Sequence, residues 1–360
     1  SAEDFCPRLK LTEELVAFIK NGQNVVLQGE RRMGKTSLIC ETVKNIKHRR
    51  MLYVDLLEIK TTDDLCRRII RAIISLEQQA GLLEKIFKSL AQLRPTVSFD
   101  PLSGQPTVSL DASIKLRPDS IDGLLDMIVQ SHKRKTLVVV FDEFQDVLNL
   151  SDSKEALAIL RSKIQFHKSI PYIFAGSVRN KMLEIFTDSD SAFFKSAIPM
   201  EIGPLDTKTF LQFLAKKFAS GKRTLENGVL DKIVEMAENV PGDVQELCGA
   251  LWENSSYKGK ILNTDISAAL ELIYSRESKG YEAQLVQLTG QQLKCLVGLA
   301  RMSGRNILSS AFVQSIGLSL PASVNKAFSR MVQLKIIYRY QGEYKFVNPF
   351  FKSWLLWKNY

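Results

Sequence analysis

At 360 residues, 45% apolar and 24% charged, the chain has the length of two or three domains and the composition of a folded globular protein rather than a disordered one. Its five cysteines are odd in number, scattered and never spaced Cys-x-x-Cys, which argues against a disulfide framework or a zinc site, and three histidines leave little for a His-based metal centre. No apolar run reaches the roughly 18 residues that span a bilayer and no charged-then-apolar signal pattern opens the chain, so a cytoplasmic protein without a membrane role is expected, with a net charge of +10 to be accounted for by location.

The first segments lead into one motif. Residues 5–22 read as a helix capped by Thr12, with Leu15, Val16, Phe18 and Ile19 on its apolar face and Asn21-Gly22 at its end. Arg8, just ahead, either faces a bound ligand or is a solvated arginine. The β-prone run Val25, Val26, Leu27 then enters Gly29, Glu30, Arg31, Arg32, Met33, Gly34, Lys35 and Thr36, and a helix is expected from Ser37 onward. Strand, G-x-x-x-x-G-K-[ST], helix is a P-loop in the context its chemistry requires. A triphosphate must be wrapped by backbone amides, and a glycine-permitted turn at a helix N-terminus aims them at one point. Lys35 then reaches the β and γ phosphates, and Thr36 sets its hydroxyl on Mg²⁺.

Beyond the motif, Ser37–Ile46 reads as the phosphate-bearing helix and Met51–Leu57 as a strand buried on both faces. Residues 61–81 and 82–93 are helical by period. Period-two patterning over about 95–111, around a Pro/Gly turn, predicts a β-hairpin insertion on the rim of the sheet with no chemistry of its own. Helix returns at Asp119–Gln130. The run Thr136–Phe141 is another buried strand, ending in Asp142-Glu143, a Walker B pattern. Asp142 is assigned to the Mg²⁺ shell and Glu143 to orienting and polarising the attacking water as general base. Asp146 reads as a solvated carboxylate. The next strand, Ile170–Ala175, closes in Gly176-Ser177, and Ser177 is the candidate for sensing the γ phosphate. Arg179 keeps two readings: a source of transition-state charge, from this chain or across an oligomer interface, or a surface arginine in a loop.

Four stretches together carry a resemblance: Phe-Cys-Pro-Arg at 5–8, Gly-Glu-Arg-Arg-Met-Gly-Lys-Thr-Ser-Leu at 29–38, Val-Val-Val-Phe-Asp-Glu-Phe-Gln at 138–145, and Phe-Ala-Gly-Ser-Val-Arg-Asn-Lys-Met at 174–182. In these the chain resembles the archaeal-type ATPase family, of the STAND branch of AAA+-related P-loop ATPases. The resemblance implies an α/β fold: a P-loop NTPase parallel-sheet core with a helical lid domain and a C-terminal winged-helix domain. It also implies ATP with Mg²⁺ as ligand, and roles as signalling or defence switches or as DNA-associated regulators.

The core is expected over 1–203 and the lid over 204–283, with amphipathic helices at Thr207–Ala219 and Leu225–Asn239 and a third opened by Val240-Pro241-Gly242-Asp243, Asp243 being the expected cap. AAA+ relatives carry a sensor arginine where this chain has Gln245, a departure that sets lid-driven hydrolysis in question. STAND members place a glycine and a proline here near the nucleotide, so Pro241 either packs against it or simply starts a helix.

Residues 284–360 hold the charge. Lys294, Arg301, Arg305, Lys326, Arg330, Lys335, Arg339, Lys345, Lys352 and Lys358 stand against Glu343 alone, ten minus one, or +9 of the chain's +10. Helices at Thr289–Ala300, Ser309–Ile316 and Ala322–Leu334, followed by a two-stranded ribbon, make a winged helix. As a double-stranded DNA reader it would present Ser323, Asn325, Lys326, Ser329 and Arg330 to a groove and Arg339 and Lys345 to phosphates; as a protein module it would close on the core or a partner. The last stretch, Tyr344–Tyr360, reads as an apolar strap packing the wing against the core.

The expected function is Mg-ATP binding with slow hydrolysis to ADP, acting as a conformational switch. A DNA-handling motor or loader and a non-hydrolysing scaffold are the alternatives, with self-association open. A kinase would need an acceptor base and an arginine lid, which are not seen, and the Asn/Thr-Lys-x-Asp pattern of GTPases is absent.

Overall fold

The structure, a computed structural model, describes residues 4–76, 96–99, 106–109, 116–134, 136–177, 182–318, 320–340 and 342–360. The helix expected over 82–93, the turn of the 95–111 hairpin and Arg179 lie outside the described residues. The chain divides into two compact units, Ser1–Gly203 and Pro204–Tyr360.

In the first unit, β1 (Val25–Gly29), β2 (Arg50–Asp55), a separate antiparallel pair β3 (Thr96–Phe99) and β4 (Pro106–Ser109), β5 (Leu137–Asp142), β6 (Tyr172–Gly176) and β7 (Ile198–Ile202) follow in order. Five of them form a parallel sheet in the order β2-β5-β6-β1-β7. All of β5 and β6 is buried, as continuous apolar runs require in a sheet covered on both faces. Phe141, Phe144, Tyr172, Phe174, Phe186 and Phe193 pack together with neighbouring ring centroids 4.7 to 6.2 Å apart.

Several boundaries differ from the sequence reading, each for a local reason. The first helix spans Leu9–Lys20, and Thr12 lies inside it, donating its N–H to the Arg8 carbonyl, so Thr12 is not the cap. The P-loop helix starts at Lys35 rather than Ser37, because Gly34 turns at φ +86° and the helical geometry begins at once. β7 has no strand signal in the sequence: among the described residues it is an edge paired with β1 alone, and it carries Pro199, a residue a central strand excludes.

The second unit begins with helix Thr207–Ser220, capped by Asp206 accepting from the Thr209 N–H. The helix expected over 225–239 is shorter, Val229–Met236, since Gly228 at φ +84° starts it and Leu225 belongs to β8 (Thr224–Leu225), which pairs in parallel with β9 (Lys260–Ile261). Helix Pro241–Asn254 is entered from Val240 with Pro241 in its first turn; Asp243 is buried within that turn and is not the cap. Helix Asp265–Val286 runs unbroken through the expected lid boundary at 283, because no glycine cap or proline interrupts it there.

Helices Gly290–Arg301, Ser310–Ser315 and Pro321–Gln333, then antiparallel β10 (Ile337–Tyr340) and β11 (Glu343–Phe346), form the winged helix. The first carries a full capping box of Thr289 and Gln292. The expected strap is β11 followed by helix Pro349–Trp357, capped by Asn348. Its rings pack on its own unit: Phe351 and Trp354 lie 5.0 and 5.4 Å from Tyr281, and Trp357 5.4 Å from Tyr274, both on helix Asp265–Val286. No helix among the described residues is long and apolar enough to cross a membrane.

Candidate functional site

The site lies where β1, β5 and β6 end at their carboxyl edge, the place where open parallel sheets collect ligands. Gly29 ends β1 because nothing larger fits: a Cβ there would stand 2.3 Å from the Ile202 side chain and 2.5 Å from its carbonyl oxygen. At Gly34 the space is open instead, and the left-handed turn is what demands glycine, leaving a cradle bordered by the first amides of helix Lys35–Lys44. Arg32 also takes positive φ, at 63°, and Met33 is buried with its carbonyl accepting from Arg8 Nη2 at 3.0 Å. Arg8 therefore supports the loop from outside its motif, and burial lowers its pKa.

Lys35 is 7% exposed and donates to the carbonyls of Gly29 (2.9 Å) and Glu30 (3.1 Å). Burial lowers its pKa, opposed by the carboxylates of Glu143, Asp142 and Glu30. Thr36 donates its hydroxyl to Asp142 Oδ2 at 2.8 Å, joining the two motifs across 106 residues of chain. Asp142, 5% exposed, also accepts from Tyr53 Oη at 2.6 Å and, on Oδ1, from the Glu143 N–H at 3.0 Å. Burial first and the Asp142 hydrogen bond second push the Tyr53 hydroxyl pKa well up, so it remains a donor at any ordinary pH.

Glu143 occupies a left-handed conformation, φ 51° and ψ 40°, at the entry to a 3₁₀ turn over Phe144–Asn149. Its carboxylate accepts a short hydrogen bond from Gln145 Nε2. Gln145 is itself buried, and its Oε1 stands 2.2 Å from where a Cβ on Gly176 would lie, so Gly176 is what admits it. Ser177, also buried, follows directly at the end of β6. Asp146 is not a solvated carboxylate only, since it accepts from the Glu58 N–H at 2.7 Å and ties the loop after β2 to the loop after β5.

Lys35, Thr36, Asp142 and Glu143 are thus gathered at one edge with Ser177 on the neighbouring strand end, while Glu30, Arg31, Arg32, Met33 and Ser37 border the loop. Pro241 stands in the other unit, buried in the first turn of its helix. Tyr53 and Gln145 join the site from outside its motif residues. In the sequence Tyr53 is only one residue of the buried run Met51–Leu57, and Gln145 only the last residue of the 138–145 stretch, neither marked by a role. A metal fits this donor set: a hard cation takes oxygen ligands, and one hydroxyl and one carboxylate suffice where phosphates and water complete the shell.

Comparison with known proteins bears on the whole chain. Residues 19–180 match the model of an AAA domain, and residues 279–357 that of a probable winged helix domain. The chain joins an AAA domain to a C-terminal winged helix domain. Among solved structures it is similar to the Walker-type ATPase PABY2304 of Pyrococcus abyssi, with a TM-score of 0.67 at 18% identity over 98% of this chain and 97% of that one. It is also similar to the ORC1 protein of Aeropyrum pernix, whose structure is of a complex with DNA, with a TM-score of 0.55 at 12% identity over 99% and 94%. At such identities the likeness is one of fold. No curated protein matches its sequence. In the AAA domain the P-loop NTPase fold expected from the motifs is present, and the winged helix domain stands where the resemblance implied.

Proposed function

We propose that the chain binds Mg-ATP and hydrolyses it slowly to ADP and phosphate, using the two nucleotide states as a conformational switch. The observation that carries this reading is the Thr36 to Asp142 hydrogen bond beside buried Lys35, which gathers a hydroxyl, a carboxylate and an ammonium at one edge of the sheet. The Gly29 to Ser37 backbone would wrap the phosphates, with Lys35 on the β and γ groups. Thr36 and Asp142 would hold Mg²⁺, which supplies charge neutralisation at the phosphates. Glu143, held by Gln145, would orient and deprotonate water, and Ser177 would report on the γ phosphate. Arg179 is kept as a candidate for transition-state charge, and Pro241 for packing against the nucleotide.

The proposed functional division is core 1–203, lid 204–283 and winged helix 284–360, the last boundary falling inside helix Asp265–Val286. Double-stranded DNA is the proposed partner of the last. Asn325, Lys326, Ser329 and Arg330 are all exposed on helix Pro321–Gln333, with Ser323 half-buried, opposite the buried Val324, Ala327, Phe328 and Met331. The fold likeness to a protein solved with DNA supports the same reading. A protein partner or self-association through this module is the second reading, favoured by Lys345 and Lys352 already pairing with Glu238 of the same unit.

The test is ATP hydrolysis with Mg²⁺, with and without duplex DNA at fixed salt. Glu143→Gln should lower turnover by roughly 10²-fold or more while nucleotide still binds, and Lys35→Ala should abolish both. Turnover that survives Glu143→Gln, or ATP binding that survives Lys35→Ala, would overturn this reading.

A further inference from the structure

Two stretches of the second unit carry no acid. Residues 207–225 hold Lys208, Lys216, Lys217, Lys222 and Arg223, and residues 254–264 hold Lys258 and Lys260. The β8–β9 pair brings their ends together, Thr224 facing Lys260, with the Thr224 N–H donating to the Gly259 carbonyl at 3.1 Å. Lys222 and Arg223 are thereby brought beside Lys258 and Lys260.

Aromatic rings are set among them. The Arg223 guanidinium lies 3.8 Å over the Trp252 ring and is fixed by donating to Ser255 Oγ at 2.7 Å and to the Gly221 carbonyl at 3.1 Å. Gly221 is glycine because a Cβ would stand 1.7 Å from Trp252. This stack makes a rigid base. Beside it Tyr257 is 64% exposed, with Lys222 Nζ 5.6 Å and Lys258 Nζ 5.8 Å from its ring centroid. Both lysines sit in left-handed turns, at φ 57° and 62°, where the neighbouring glycines are needed for close approaches and a long cationic side chain occupies the turn instead.

The acids that border the patch are engaged locally. Glu226 accepts from the Asn263 N–H and Nδ2, Asp265 from the Leu262 N–H, and Glu253 pairs with Arg276. Glu226 also draws on the charge of Lys260, so the cations that face water beside Tyr257 are the exposed Lys222 and Lys258.

We propose that this face, centred on Tyr257, binds single-stranded nucleic acid. The exposed ring offers a platform for an unpaired base, and the flanking Lys222 and Lys258 neutralise the phosphates on either side. A duplex keeps its bases stacked inside, so only a single strand uses the ring as well as the lysines; an acidic polypeptide would use the lysines alone. The inference stands apart from the nucleotide site and from the duplex reading of the winged helix.

The experiment is fluorescence anisotropy on the full chain, with labelled oligothymidylate and oligouridylate of about 20 nucleotides and a duplex of equal length, over a salt series. Tyr257→Ala, at an exposed position, should weaken single-strand binding roughly 10-fold and leave duplex binding unchanged. Lys222→Gln with Lys258→Gln should flatten the single-strand salt dependence by about 1.4 in log–log slope. Lys326→Gln with Arg330→Gln, in the winged helix, should spare the single strand. Tighter oligouridylate binding supports the proposal with RNA as the strand. Absence of single-strand binding at low salt, indifference to Tyr257→Ala, equal losses on both probes, or displacement by polyglutamate that Tyr257→Ala does not affect would each overturn it.

Discussion

Lys35 carries a charge into a place that disfavours it. Burial is the largest influence on its pKa and outweighs the pull of Glu143 and Asp142, so the folded state binds this proton less tightly than the unfolded chain does. Stability from this group accordingly rises with pH through the interval just below its ordinary 10.5. Lys35→Met should therefore lose nucleotide binding while the protein remains as stable or gains up to about 1 kcal/mol. The difference in melting temperature from wild type should shrink as pH climbs toward about 10; a large destabilisation at neutral pH would mean that the carboxylates depend on the lysine. Tyr53 makes the opposite case, a neutral donor serving a charge. Tyr53→Phe deletes one of the three described hydrogen bonds on the Asp142 carboxylate and leaves those from Thr36 and Glu143. Its expected signature is a several-fold higher Mg²⁺ requirement for ATP turnover, with a stability loss of about 1–2 kcal/mol, since hydrogen bonds to charged groups are worth about 1.5–3. An unchanged Mg²⁺ titration would show that Tyr53 only fills space.

At the scale of elements, the P-loop strand is pinned by the edge strand beside it. Gly29→Ala would drive a methyl into both the side chain and the carbonyl of Ile202, and a carbonyl cannot rotate away, so β7 must shift from β1. A loss of about 2 kcal/mol or more is expected in chemical denaturation, together with loss of nucleotide binding; a variant of wild-type stability would show that β7 yields freely. That contact also shows what sequence can and cannot convey. Val25 to Leu27 and Leu137 to Phe141 are readable because strands covered on both faces become apolar runs, and Thr36 and Asp142 because phosphate chemistry fixes their spacing to strand and helix. β7 is hidden since an edge strand tolerates Pro199 and Glu201. β8 and β9, two residues each, are too short to show any period. Tyr53 and Gln145 act across the sheet and against a glycine, relations that exist only once the strands are ordered as β2-β5-β6.

Across the molecule, the winged-helix segment holds nearly all the net charge, yet not all of it faces water unopposed. Glu238 takes up two of its cations, Lys345 at 3.6 Å from the wing and Lys352 at 3.9 Å from the last long helix. Glu238 and Asn239 are consecutive non-glycine residues at φ 50° and 54°, a turn costing about 1–3 kcal/mol per residue. The Glu238 N–H to Glu235 and Asn239 N–H to Val234 hydrogen bonds hold it in place, and Pro241 opens the next helix two residues on. Half-buried pairs of this length contribute at most about 1 kcal/mol to stability, so Glu238→Gln should melt close to wild type. Its consequence for an anionic partner is larger. A duplex that contacts Lys345 must displace Glu238, and removing that competitor should tighten duplex binding at low salt. The log–log salt slope should also steepen by up to about 1.8, for two further phosphates neutralised. If Glu238→Gln leaves the affinity and slope of duplex binding as they were, the wing lysines do not meet phosphate, and their pairing with Glu238 is the contact they serve.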